Sequence, residues 1–164
     1  MEYADVYDKD RRKLGRTVLK GDKLPPGEYY LAVHVWIMNS KGQFLIQKRA
    51  STVLYNPNKW SLTSGASITG EDTYGTCVRE VNEELGIEPN MDCAKVIFTL
   101  DRGDNFCDVW LVHQEVDLNE CILQVEEVSE TRWVTKKEIF KMIAKKSLFH
   151  IHILKGFLKK LISF

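Results

Sequence analysis

Apolar positions along the chain recur at two spacings, and the changes of spacing mark its elements. Residues 29–39, "YYLAVHVWIMN", and 44–49, "FLIQKR", are rich in aromatic and β-branched side chains. They read as two strands of a hairpin across the turn "SKGQ". "WSLTSG" (60–65) reads as one short strand entering a polar, Gly-containing turn. "AKVIFTL" and "FCDVWLVHQEV" read as two further strands around "DRGDN". The start, "EYADVYD" before the charged turn "DKDRRKLG", suits an edge hairpin, while "KGDKLPPGE", "ASTVLYNPNK" and "QVEEVSET" read as loops.

From residue 72 the spacing becomes helical. Tyr74, Cys77, Val78, Val81 and Leu85 fall at i, i+3, i+4, i+7 and i+11 and form one apolar stripe. Asp72 or Thr73 can cap its start, and Gly86 follows its last apolar position, where a left-handed residue is favoured. "VTKKEIFKMIAKK" also reads as a helix. So does the tail, about residues 147–163, with Leu148, Ile151, Leu154, Phe157, Leu158 and Leu161 on one side. Strands and helices mix without strict alternation. The expected fold class is therefore α/β, a mixed β-sheet sandwiched between α-helices, as a single domain over 1–164.

Composition narrows this little: 164 residues suit one domain, with 44% apolar and 28% charged residues. Lys+Arg and Asp+Glu are 23 each, which argues against binding a nucleic-acid polymer through a basic surface. The charged start has no apolar signal region and no run of about 18 apolar residues occurs, so the expectation is a cytoplasmic protein without a membrane span. Cys77, Cys93, Cys107 and Cys121 form no CxxC pair and are expected as reduced, mostly buried thiols. Trp36, Trp60, Trp110 and Trp133 lie in strand-like segments, where core packing is the ordinary role, and His34 reads as a satisfied strand histidine.

Local charge is more telling. "REVNEELG" (79–86) gathers Glu80, Glu83 and Glu84 behind Arg79. On a helix Glu80 and Glu84 lie about 40° apart and Glu83 about 60° from Glu80, so all three are expected on one face, offset from the apolar stripe. Arg79 and Glu83 are an i,i+4 pair. The acids reach towards the helix C-terminus, where the macrodipole disfavours negative charge. They also follow "TSGASITGEDTYG", whose small residues let backbone approach a ligand. Three hard oxygen donors in that setting suit divalent cations of the magnesium type rather than zinc.

From Gly65 the chain reads Gly, five residues, Glu71, seven residues, Arg79-Glu80, an apolar Val81, one residue, Glu83-Glu84, one residue, Gly86 and an apolar Ile87. This resembles the complete box of the Nudix family, residues 65–87, and a chance match in a chain this long is on the order of one in ten million. The resemblance implies a Mg²⁺-dependent hydrolase (Mn²⁺ is an alternative) of a diphosphate bond in a small molecule of the nucleoside diphosphate-X type. It further implies Glu83 and Glu84 as metal ligands, Glu80 as a ligand or the base, and the carbonyl of Ser64 as another ligand. Arg79 would orient a glutamate and Glu71 would pair with Arg79, with Gly65 and Gly86 structural.

Outside the box, "VHVWIMNSKGQFLIQKRA" and "EEVSETRWVTKKEI" resemble the isopentenyl-diphosphate isomerase branch of that family. The isomerase pattern has Cys and His around the box glycine, where this chain has Ser64 and Ala66, so hydrolysis is the expected reaction. Isomerisation, or nucleotide binding without turnover, is the alternative. Arg49 matches the branch's diphosphate-binding position, with Lys48 beside it, and Glu127 or Glu130 is the expected acid from outside the box. The oligomeric expectation is a monomer or homodimer.

Overall fold

A computed structural model describes residues 1–149. The chain forms β1 (Tyr3–Tyr7), β2 (Lys13–Leu19), β3 (Tyr30–Met38), β4 (Phe44–Arg49), β5 (Trp60–Ser61), β6 (Thr63–Ala66), α1 (Thr73–Leu85), β7 (Ala94–Asp101), β8 (Asn105–His113), β9 (Val128–Val134) and α2 (Lys136–Ala144). β3 is the axis of a mixed sheet. It runs parallel to β8 on one side, and on the other pairs antiparallel with β6 along its first half and with β4 at Met38. β7 edges the sheet beyond β8, β5 and β9 pair with β4, and β1 and β2 form a separate hairpin.

Alternation along β3 divides the core. Val33, Val35 and Ile37 pack against Cys77, Val81 and Leu85 of α1. Trp36, with Phe44, Ile46 and Val109, packs against Ile139 and Met142 of α2. The sheet thus lies between two helices, because successive strand side chains point to opposite faces. Asp72 caps α1 by accepting from the Gly75 N–H at 2.8 Å. Gly86 ends α1 at φ 66°, and a Cβ there would come within 2.6–2.9 Å of Ile122, main chain included. Left-handed backbone and lack of space both require glycine.

Four expectations change. "WSLTSG" is two strands, because the chain turns Leu62 into the core and so passes from β4 to β3. β9 takes over the expected loop from Val128: its polar "SETR" run is held by main-chain pairing with β4 rather than by an apolar face. Tyr74 is 51% exposed and lies edge-on to Trp110 instead of in the buried stripe. Residues 147–149 are not helical, with Leu148 bridged to Trp60, and the rest of the expected tail helix lies outside the described residues. Cys77 and Cys107 are buried, Cys93 is exposed and Cys121 lies between. Burial pushes the Cys77 thiol up to about 12 and that of Cys107 to about 11, so neither is a ready thiolate.

A buried carboxylate ties the hairpin to this frame. Asp108 of β8 accepts two bonds from Arg11, at 2.9 and 2.8 Å. It also accepts from Thr99 of β7 at 2.6 Å and Thr73 of α1 at 2.7 Å. Burial works to raise its pKa, but Arg11, Thr99 and Thr73 outweigh it and hold the carboxyl below its ordinary range. Asp108→Asn is expected to cost about 2 kcal/mol near neutral pH, allowing for solvent screening of Arg11. Because the folded-state pKa is depressed, this stabilisation is complete above the unfolded value and is lost as pH falls through the folded one. Urea unfolding of wild type and variant is therefore expected to converge as pH falls from neutrality to below the ordinary carboxylate range; a gap that stays constant contradicts the assignment.

Candidate active site

Arg79 uses all five of its guanidinium N–H groups. Nε and Nη2 donate to Glu71 at 2.8 and 3.1 Å, Nη1 to Glu80 at 2.8 Å and to Glu83 at 3.0 Å, and Nη2 to the Ala66 carbonyl at 3.1 Å. Glu71 also accepts from the Ile68 N–H and the Thr76 hydroxyl. Burial would raise Glu71, but Arg79 and Ile68 hold it low. Helix and preceding loop are thereby fixed as one unit through a planar fork that a lysine cannot replace.

The three clustered acids separate. Glu80 and Glu84 are buried, at 7% and 3% exposure, whereas the Glu83 side chain is half exposed. Along the regular helix α1 they differ in exposure: Glu80 and Glu84 are covered by the sheet, while Glu83 is at the rim, where it shares Arg79 Nη1 with Glu80. The Glu80 carboxyl lies against the main chain of β6, where a Cβ on Gly65 would overlap it. Burial raises Glu80 to about 6, opposed by Arg79 and more weakly by Lys20.

Glu84 accepts from Gln47 Nε2 at 2.8 Å, and Thr63 donates to the other end of that amide at 3.0 Å. Burial pushes Glu84 up to about 8, against Gln47 and the Ser64 N–H, and the charges of Glu80 and Glu127 add to it. Among the described residues no Lys or Arg pairs with Glu84. Gln47 was not singled out in the sequence; its signal is a lone uncharged polar residue in the buried run "FLIQ".

The remaining sequence candidates lie farther out. Lys48 faces Glu130 at 3.8 Å, and Arg49 donates to the Tyr55 carbonyl at 2.8 Å. Glu127 is the outer acid whose charge reaches Glu84, whereas Glu130 is on exposed β9. Trp36 and Trp110 are core, Trp60 carries the Arg132 guanidinium 4.2 Å from its ring centre, and Trp133 donates to the Val116 carbonyl. Among the described residues no three His, Cys, Asp or Glu side chains are gathered closely enough to hold a metal ion. On the other face of β6 a cleft of about 660 Å³ is lined by Lys20, Lys23, Tyr30, His34, Arg102 and the Ser64–Ala66 backbone. The sequence pointed to none of its cations, because Lys20, Lys23 and Arg102 lie in loop and turn sequences.

The chain and its fold, helices against a mixed sheet, are similar to known proteins. The NUDIX domain profile matches residues 28–157. An uncharacterized Nudix hydrolase of Listeria monocytogenes is 40% identical over 140 residues, covering 85% of this chain and 83% of that protein. An isopentenyl-diphosphate Delta-isomerase of Streptomyces avermitilis is 31% identical over 143 residues, covering 80% of this chain and 72% of that protein. The fold matches that of the Deinococcus radiodurans protein DR0079 with a TM-score of 0.72 at 21% identity, covering 89% and 91% of the two chains. The chain belongs to the Nudix hydrolase family, an enzyme family.

Gly65→Ala is expected to lower unfolding stability by about 1–3 kcal/mol, because the new methyl group must displace a carboxyl held by Arg79. Denaturant unfolding checks this: an unchanged midpoint means that Glu80 moves aside freely.

Proposed function

We propose that the protein hydrolyses a diphosphate linkage in a small organic diphosphate of the nucleoside diphosphate-X type, with a divalent cation, Mg²⁺ or Mn²⁺, as cofactor. The observation that carries this reading is the buried carboxyl of Glu84, which has only a neutral amide and a main-chain N–H for company although Glu80 lies one turn away. Buried acids without a cationic partner are costly. They are hard oxygen donors and fit a hard cation. Glu80, Glu84 and the Ser64 carbonyl would hold it, with Glu83 adding a carboxylate at the rim. When bound, the cation supplies charge neutralisation for the diphosphate oxygens and the leaving group.

The chain's own residues do the rest. Arg79 holds Glu80 and Glu83 in place from one guanidinium, while Gln47 fixes Glu84. A water oxygen bonds to phosphorus as the bond from that phosphorus to the bridging oxygen breaks. The water proton passes to a carboxylate of the site, with Glu80 as the first candidate, and the phosphate leaves with the bonding pair. The likeness to an isopentenyl-diphosphate isomerase supports isomerisation as a second reading, which formation of an allylic diphosphate would establish.

Release of phosphate from nucleoside diphosphates, or of nucleoside monophosphate from sugar nucleotides and dinucleotides, with Mg²⁺ tests the proposal. Glu83→Gln and Glu84→Gln are each expected to lower kcat by about a hundredfold or more while the fold is kept. Wild-type turnover that persists in excess chelator defeats it.

A further inference from the structure

The Glu80 carboxyl of α1 lies against one side of β6, and the cleft borders the other. Val33 and Val35 face α1, so His34, between them, faces away, and its antiparallel register partner Ser64 shares that face. His34 is 2% exposed, and its Nε2 lies 3.1 Å from Nη2 of Arg102. A guanidinium can only donate, so this ring nitrogen accepts, and the imidazole is neutral. The pair therefore presents one positive charge.

Arg102 forms no ion pair among the described residues, although Asp22 and Asp104 line the same cleft. Arg79 and Arg11 are both satisfied by carboxylates. Asp104, which also lines the cleft, accepts from Asn105 instead. Lys23 lines the cleft without an ion-pair partner among the described residues, and Lys20 pairs with Glu2 at 2.8 Å. Leu24 and Tyr30 supply an apolar wall, and the Tyr30 hydroxyl is tied to the Asp22 carbonyl at 2.6 Å. The Gly65 main chain borders the cleft, and the Glu80 carboxyl lies against that same glycine on the α1 side.

We infer that this cleft binds the phosphate chain of the substrate: Arg102 contacts a phosphate, His34 positions Arg102, and the organic group rests on Tyr30 and Leu24. The inference rests on reading the site as one for an organic diphosphate, and it assigns the anion-binding role to Arg102 rather than to Lys48 and Arg49. A guanidinium held by a neutral imidazole keeps its full charge for a ligand, and its fork fits two phosphate oxygens. An anion seated there lies beside β6, one strand's thickness from the carboxylates.

Calorimetry with inorganic diphosphate in the absence of divalent cation, on the full chain, tests the assignment without turnover. Arg102→Ala is expected to weaken binding by about tenfold or more, with Arg102→Lys intermediate. His34→Gln, which keeps an acceptor, is expected to bind better than His34→Ala. With a hydrolysed substrate, the Arg102 and His34 variants are expected to raise KM while kcat stays within about twofold. Absence of inorganic diphosphate binding by the wild type, equal affinity in Arg102→Ala, or an unchanged KM overturns the cleft assignment and leaves the hydrolase reading standing. Binding that depends on Arg102, in a protein that hydrolyses no diphosphate of the panel, supports the cleft assignment and defeats the hydrolase reading.

Discussion

The guanidinium of Arg79 is the joint on which the site depends. Five donated bonds fasten the loop at Glu71 and Ala66 to the helix at Glu80 and Glu83. Burial would lower its pKa, but Glu71 and Glu80 outweigh that and raise it, so the charge is permanent. One cation thus serves three carboxylates, and none of its N–H groups is left for Glu84. The neutral Gln47 takes that role, which leaves Glu84 as the acid whose ionisation the protein opposes most strongly. Burial of such an acid costs stability, in keeping with stability given up where function needs charge.

The sheet makes the arrangement possible. β6 is short and contains a glycine where the helix comes closest, so a carboxyl can lie directly on main chain. The same short strand pairs with β3, which puts His34 beside Ser64 on the opposite face. The buried acid Glu84 and the cleft cation Arg102 are therefore not paired with each other. A direct ion pair between them would neutralise both and leave nothing for a ligand.

Much of this was legible in the chain. The box could be read because its residues are fixed by helical spacing and by a glycine with no substitute. The helix stop at Gly86 and the main strands followed from period and turn chemistry. What could not be read depends on register between distant segments. Asp108 looks like an ordinary strand acid until β7, the start of α1 and the turn of the β1–β2 hairpin bring Thr99, Thr73 and Arg11 to it. Glu83 differs from Glu80 only by which side of the helix meets β6. β9 was missed because its ladder with β4 stabilises a polar strand that has little apolar pattern. Arg102 lies in a turn sequence whose side-chain direction is set by His34 in another strand.

Divalent cation binding, measured by calorimetry on the metal-free protein, tests the central claim most directly. Mg²⁺ or Mn²⁺ is predicted to bind the wild type and to lose about tenfold or more in affinity in Glu84→Gln, with unfolding stability retained. Equal cation affinity in wild type and Glu84→Gln would contradict the account.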